Sequence, residues 1–174
     1  MAEFSANNAT FSGGGMGVAG TTVAVAGRVS FVRNWAALGG GMSAHSAASD
    51  VDVSGDVGFL DNAASESGGA VYMDAATVRM GGHVAVRRNR AGGAGGAMFS
   101  DSGTLVARAN VTFVENDASD GGAVAVTGDA STSLGCCVLF ASNVAVFDGG
   151  AVNHAGACSI SKVVFRDNSA GRYG

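Results

Sequence analysis

The sequence repeats itself with a period of about 27 residues, and this repeat constrains the fold more than any other feature of the chain. An Asn returns with successive spacings of 27, 28, 27, 27, 27 and 25 residues. Such regularity over seven copies indicates one structural unit used repeatedly. The seven positions are Asn7, Asn34, Asn62, Asn89, Asn116, Asn143 and Asn168.

Apolar and small residues keep fixed distances from each Asn. Three residues before it stands a Phe in six copies and Val86 in the other, and two residues after it stands an Ala in every copy. A Val precedes the Phe position by two residues in all copies but the first. The alternation Val-x-Phe is the period-two pattern of a β-strand. The Phe residues are Phe4, Phe31, Phe59, Phe113, Phe140 and Phe165.

A pair of Gly, followed by a small residue and then Val or Met, comes after each of the first six Asn. The chain has 29 Gly and no Pro among 174 residues, but these Gly recur at fixed positions instead of forming a linker. Gly is the residue that turns a backbone tightly with positive φ. The pairs are Gly13-Gly14, Gly39-Gly40, Gly68-Gly69, Gly95-Gly96, Gly121-Gly122 and Gly149-Gly150.

We therefore predict an all-β fold, a right-handed parallel β-helix of about six coils, as a single domain over residues 1–174. Each coil of about 27 residues would hold three short strands. One covers the Gly-Gly-Ala-Val segment, such as residues 69–73, one covers an apolar pair such as Val51 and Val53, and one is Val-x-Phe. Neighbouring coils would pair in register at about 4.8 Å, so each column of the repeat becomes a physical stack.

The stacked columns have distinct expected roles. The Asn amides would bond one to the next along the axis and satisfy buried polar groups at a turn. The Phe rings would stack inside. The residues just before four successive Asn are Arg33, Asp61, Arg88 and Glu115, whose alternating signs predict ion pairs between coils. A ligand-binding role for the Asn residues is disfavoured, since a ligand site would not need seven identical copies.

The motifs Phe-x-x-Asn and Gly-Gly-Ala-Val, alternating along the chain, resemble the repeat of the chlamydial polymorphic outer membrane proteins and related autotransporter-like β-helix passengers. The resemblance rests on segments such as residues 31–34, 59–62 and 113–116, and on the Gly pairs. It implies a secreted or cell-surface protein, extracellular, with an adhesin-like role. The chain departs from that family in lacking Pro and in being richer in Ala.

Composition excludes several classes of protein. The net charge of −4 comes with no basic cluster, so nucleic acid is not an expected partner. No run of about 18 apolar residues is present, so this segment is not expected to span a membrane. No basic and apolar leader begins the chain, so any export signal would lie outside it. The cysteines Cys136, Cys137 and Cys158 are expected to be buried small hydrophobes, with a bridge or a reactive thiol as the alternative.

The sequence offers no catalytic, cofactor-binding or metal-binding residues. The acidic residues are scattered through predicted turns, and His45, His83 and His154 lie in different registers of the repeat. We therefore expect a structural or adhesive segment with no catalysis and no cofactor. The alternative is a β-helix carbohydrate-active enzyme, similar to polysaccharide lyases or glycoside hydrolases, whose site is not recognisable here.

One exposed feature remains as a candidate binding patch. Tyr72 and Phe99 fall in the same outward column of neighbouring coils, where they could stack on a sugar or dock a host protein. Stacked aromatics also stabilise a sheet face without binding anything. Since both ends of the chain fall within a coil, we also expect further β-helix coils as partners, and end-to-end association of the segment expressed alone.

Overall fold

The computed structural model describes residues 1–173, which form strands and turns without any helix in that range. The strands belong to three parallel sheets, and each coil of the chain lies against the next. The molecule is a parallel β-solenoid of about six turns, so the predicted all-β fold with three sheets and a 27-residue coil is confirmed.

The strand bounds follow the repeat. Sheet 1 contains β1 (Ala2–Ser5), β3 (Thr22–Val32), β6 (Asp50–Leu60), β9 (Thr77–Met80), β10 (His83–Arg87), β13 (Thr104–Ala107), β14 (Asn110–Val114), β17 (Ser131–Leu134), β18 (Val138–Ala141), β21 (Ala157–Ile160) and β22 (Val163–Arg166). Sheet 2 contains β4 (Trp35–Leu38), β7 (Ala63–Ser67), β11 (Arg90–Ala91), β15 (Asp117–Ala118), β19 (Val144–Ala145) and β23 (Ser169–Ala170). Sheet 3 contains β2 (Met16–Ala19), β5 (Met42–His45), β8 (Val71–Asp74), β12 (Met98–Asp101), β16 (Val124–Thr127) and β20 (Val152–His154).

The division of a coil among the sheets differs from the expectation in one respect. The apolar-pair strand and the Val-x-Phe strand share sheet 1, because β3 and β6 stay paired without a break from Thr22 with Asp50 to Val32 with Leu60. The additional sheet 2 is built from the short strands that follow each Asn, around the Ala column. Those segments carry no alternation of apolar residues, so the sequence did not mark them as strands.

The interior is a set of stacked columns. Phe31, Phe59, Phe113 and Phe140 are fully buried. Phe31 and Phe59 stack with ring centroids 4.7 Å apart, and so do Phe113 and Phe140. The predicted inward Phe column is therefore confirmed. The distance between rings is close to the distance between paired strands, because the backbone pairing positions the rings.

The Asn column forms a continuous hydrogen-bonded ladder. Asn89 donates from its backbone N–H and from Nδ2 to Oδ1 of Asn116, at 3.0 and 3.1 Å. Its own Oδ1 accepts the same two bonds from Asn62, and its Nδ2 also donates to the carbonyl oxygen of Phe59 at 3.0 Å. Each interior Asn thus joins its coil to both neighbours.

Two kinds of residue make the corners of the coil. The first Gly of each pair has positive φ, such as +68° at Gly68, while the second lies so close to the next coil that a Cβ on Gly69 would collide with the carbonyl oxygen of Gly96. The residue before each Asn also has positive φ, although it is never Gly. Those residues are Ala6, Arg33, Asp61, Arg88, Glu115, Ser142 and Asp167, with φ between 52° and 58°.

The charged column forms one of its expected pairs. The guanidinium of Arg88 donates from Nε to Oδ1 of Asp61 at 2.7 Å and from Nη2 to Oδ2 at 3.1 Å. This hydrogen bond holds the pKa of Asp61 below its ordinary value, against a smaller opposing effect of burial. Because both side chains are substantially exposed, solvent screens the pair, which mainly favours the correct register.

The expectation for the cysteines was wrong. Cys136, Cys137 and Cys158 are free thiols and all three are exposed. Cys136 and Cys137 occupy the corner between β17 and β18, where side chains point away from the core. Cys158 continues the inward column of Leu105 and Thr132, but it lies in the last coil of the described chain.

Candidate functional site

The candidate patch lies on the outer side of sheet 3. Tyr72 and Phe99 are register partners on β8 and β12, and the same column contains Ser43, Ala125 and Asn153. The residues on either side of Tyr72, Val71 and Met73, point into the core and are fully buried. Period-two alternation along β8 therefore sends Tyr72 to the outer side, as the sequence analysis expected.

The two rings are stacked. Their centroids are 5.6 Å apart with an interplanar angle of 14°. The imidazole of His45, the register partner of Asp74 one coil earlier, lies beside Tyr72, with its centroid 5.5 Å from that of Tyr72 and tilted by 40°. Rings from three successive coils thus lie close together on this side of sheet 3.

These rings are half-buried, because the Gly-Gly turns pack against their base. A Cβ on Gly39 would lie 3.1 Å from Cβ of Tyr72, and one on Gly68 would lie 3.0 Å from its Cα. Under the equivalent turns of other coils, Ser43 is fully buried and Ala125 is 3% exposed. Tyr72 and Phe99 therefore lie half-buried beside the Gly turns.

Carboxylates border the rings. Asp74 and Asp101 are register partners of each other, two residues beyond Tyr72 and Phe99. The carboxylate of Asp74 lies 3.9 Å from Nδ1 of His45, and that of Asp101 accepts hydrogen bonds from the hydroxyls of Ser102 and Thr127, both at 3.3 Å. We call His45, Tyr72, Asp74, Phe99 and Asp101 the aromatic face.

The electrostatics of the aromatic face are acidic. Burial raises the pKa of Tyr72. The nearby carboxylates of Asp74, Asp101 and Glu66 raise it further, because they repel the negative charge of a phenolate. The Tyr72 hydroxyl therefore stays protonated at any ordinary pH and can donate a hydrogen bond. Apolar rings, a hydroxyl donor and carboxylate acceptors on one face suit a polyhydroxylated ligand.

His45, Asp74 and Asp101 were missed as members of this patch by sequence reasoning. The signal for the two carboxylates was present, since each follows its aromatic residue by two positions on a strand and so shares its face. His45 follows Ser43 in the same way. What the sequence could not show is the turn that covers half of each ring.

A second concave region, of about 540 Å³, lies at the last coil. Val152, His154, Cys158, Ile160 and Phe165 line it. These residues continue the inward columns that form the core of earlier coils, so the apolar lining follows from the core pattern. Burial lowers the pKa of His154, which keeps this imidazole neutral at neutral pH.

Two further classes of site were sought within residues 1–173. No three residues of the His, Cys, Asp and Glu types are grouped there in a way that could hold a metal ion. In the same range there is no long apolar helix of the kind that crosses a bilayer.

Comparison with protein-family models, with curated proteins and with solved structures found no match to this chain.

Proposed function

We propose that this chain is a structural and adhesive segment of a secreted or cell-surface protein, without catalytic activity, and that the aromatic face binds carbohydrate. The solenoid acts as a scaffold in which the Asn ladder and the Phe column recur from coil to coil, while the outward columns vary. The aromatic face is the place where this variation brings stacked rings and polar groups together.

The observation that carries the proposal is the stack of Tyr72 on Phe99, 5.6 Å apart and partly open to solvent. Among residues 1–173, this is the one parallel stack of two aromatic rings outside the Phe column. The two rings follow one another along the solenoid axis, so each can contact a different sugar of an extended oligosaccharide. The resemblance of the Phe-x-x-Asn and Gly-Gly-Ala repeat to polymorphic outer membrane proteins and autotransporter-like passengers supports an extracellular, adhesin-like role.

The charges of the aromatic face select among sugars. Asp74, Asp101 and Glu66 surround the Tyr72 ring with negative charge, and the chain as a whole carries −4. Anionic sugars such as uronic acids would be repelled. We therefore expect neutral hexose and amino-sugar chains to bind better than polyuronates.

A binding panel tests the proposal. Oligosaccharides of neutral hexoses, amino sugars and uronic acids are titrated against the chain and against the double variant Tyr72→Ala, Phe99→Ala. We expect at least a tenfold loss of affinity in the double variant. The control is Trp35→Ala, which removes a more exposed aromatic ring from sheet 2 and should leave binding unchanged. Equal binding by the double variant and the parent chain would reject the aromatic face as the site.

The alternative function, a carbohydrate-active enzyme, is favoured by one observation. Asp74 and Asp101 are adjacent in register beside the rings, with strands about 4.8 Å apart, and retaining glycosidases hold two carboxyl groups about 5–5.5 Å apart. Incubation with the same panel, followed by assays for new reducing ends and for unsaturated products, distinguishes the two functions. Turnover that disappears in Asp74→Asn and in Asp101→Asn would replace the adhesive function with hydrolysis.

A further inference from the structure

Two thiols lie side by side at one corner of the solenoid. Cys136 and Cys137 form the turn between β17 and β18, where Cys137 has a φ of 70°. The Cys137 thiol donates to the sulfur of Cys136, with the two Sγ atoms 3.5 Å apart. Both residues are exposed, so a small reagent in solution can reach either sulfur.

The third thiol is in a different environment. Cys158 lies on β21 as the register partner of Thr132, within an inward column. Burial raises the pKa of Cys158, so its thiol is less ready to ionise than that of an ordinary cysteine. The corner pair is thus distinguished from Cys158 by its place outside the inward columns and by its sulfur-to-sulfur contact.

We propose that Cys136 and Cys137 form a reversible thiol–disulfide couple, a modification site whose oxidant is a low-molecular-weight disulfide. The attacking group is the thiolate of Cys136, which is the sulfur that accepts the hydrogen bond. The thiol of Cys137 is the resolving group, since the hydrogen bond to Cys136 is the main cause that raises its pKa and keeps it protonated until the first step is complete.

The exchange balances in two steps. The Cys136 thiolate attacks one sulfur of the small disulfide, forms a mixed disulfide and expels one small thiolate, which takes the proton of Cys137. The Cys137 thiolate then attacks the sulfur of Cys136 and expels the second small thiolate. Two protein thiols are oxidised to one disulfide, and one small disulfide is reduced to two thiols.

Adjacent cysteines make a disulfide that is easy to reduce again. Consecutive Cα atoms are about 3.8 Å apart across a trans peptide, whereas ordinary disulfides join Cα atoms about 4.4–6.8 Å apart. The bond between neighbours is therefore strained, and strained, exposed disulfides are the labile ones. The couple is expected to respond to the ambient thiol concentration rather than to act as a permanent crosslink.

Intact-mass measurement and thiol counting on the full chain, incubated with oxidised glutathione, test the proposal. The parent chain should lose two hydrogens without retaining an adduct, and peptide mapping should place the bond between Cys136 and Cys137. Cys137→Ser should instead keep a glutathione adduct on Cys136. Cys158→Ser is the matched control and should oxidise like the parent chain. Excess reduced glutathione should restore the free thiols.

Two results would overturn the couple. One is a stable glutathione adduct on the parent chain at the level seen for Cys137→Ser, which would mean that Cys137 does not resolve the mixed disulfide. The other is an oxidation product that contains Cys158 in place of one corner thiol. The second result is read on the parent chain alone, so it does not depend on whether a variant folds.

Discussion

A buried side-chain amide is costly unless both its N–H groups and its oxygen find partners, and each interior Asn of the ladder meets that condition. The Nδ2 of Asn89 donates to Oδ1 of Asn116 and to the carbonyl oxygen of Phe59, while its Oδ1 accepts two bonds from Asn62. Asn89 is 1% exposed, so water cannot replace these bonds. The amide at this position therefore stabilises two coil junctions at once.

Asn89→Ala is expected to destabilise the fold more than Asn7→Ala. The first change leaves the backbone N–H and the Nδ2 of Asn62 without their acceptor, at a cost of about 1–3 kcal/mol. Asn7 donates to Asn34 only, and it is exposed, so its loss should cost less. Denaturant unfolding of the two variants measures the difference, and equal midpoints would contradict a cooperative ladder.

Both members of a Gly pair exclude a side chain by close backbone contact, and the second does so without a positive φ, so it tests the steric effect alone. Gly69→Ala would place a methyl group against the carbonyl oxygens of Gly96 and Arg90, and these backbone atoms are fixed by the ladder. We expect a loss of about 3 kcal/mol or more in the free energy of unfolding.

Gly81→Ala is the matched control for this change. A Cβ at Gly81 has no atom within 4 Å, so the substitution should shift the thermal midpoint little or raise it slightly. A Gly69→Ala variant as stable as Gly81→Ala would mean that the coils can separate locally at sheet 2.

At the scale of the element, the Phe column consists of two stacks separated by one Val. Phe4, Phe31 and Phe59 form one stack, and Phe113, Phe140 and Phe165 form the other. Val86 is the register partner of Phe59 on one side and of Phe113 on the other. Within each stack the pairing of strands and the packing of rings support each other, because both repeat at nearly the same distance.

Phe113→Ala should cost about 3–5 kcal/mol, because it removes a fully buried ring from the end of one stack and leaves a cavity. Val86→Phe, by contrast, should join the two stacks, and its cost should stay within the about 1–3 kcal/mol of an enlarged side chain in a packed core. Thermal unfolding measures both variants. A neutral Phe113→Ala would place that ring outside the cooperative core, and a large loss for Val86→Phe would show that its neighbours already fill the space.

The elements that could be predicted from sequence are those that repeat a particular residue type. The Asn ladder, the inward Phe and the Gly turns all impose one chemistry on every coil, so simple spacing reveals them. Sheet 2 could not be predicted in this way, since Trp35, Ala63, Arg90 and Asp117 occupy equivalent positions on its strands and share no property. Backbone pairing with adjacent coils, not side-chain type, makes these segments strands.

The corners of the coil and the candidate site were also hard to predict, because their positions do not repeat one residue type. The left-handed residue before each Asn is Ala, Arg, Asp, Glu or Ser, so it gives no Gly signal, and the geometry comes from the strands on either side. Counting along the repeat placed Tyr72 and Phe99 in one column. It could not reveal that Gly39 and Gly68 cover the base of the Tyr72 ring, because that contact joins different parts of two coils.

At the scale of the whole molecule, the side walls and the last coil have different surfaces. Along the walls, backbone groups are paired with adjacent coils. In the last coil Ile160, Val164 and Phe165 are 51%, 56% and 45% exposed, although equivalent residues in earlier coils are buried or half-buried. An apolar surface beside unpaired strand edges favours association with a further β-structure.

The chain in isolation is therefore expected to associate end to end as its concentration rises. Light scattering over a dilution series measures this association, and Ile160→Lys should weaken it by placing a charge at the strand edge. Val144→Lys, at a residue that is 44% exposed on sheet 2, is the control and should have no effect. A stable monomer at high concentration, with slow amide exchange in the first and last coils, would contradict this expectation.

The Asn ladder has one further consequence, which concerns the length of the rod. Every bond in the ladder runs in the same sense, from an amide in one coil to the Oδ1 of the next, and each link is equivalent to the others. Duplication or loss of a complete coil would reproduce the same links at the new junction, whereas an insertion of a few residues within a sheet would break them. The length of such a rod can therefore change only in increments of one strand spacing, about 4.8 Å, each requiring about 27 residues of sequence.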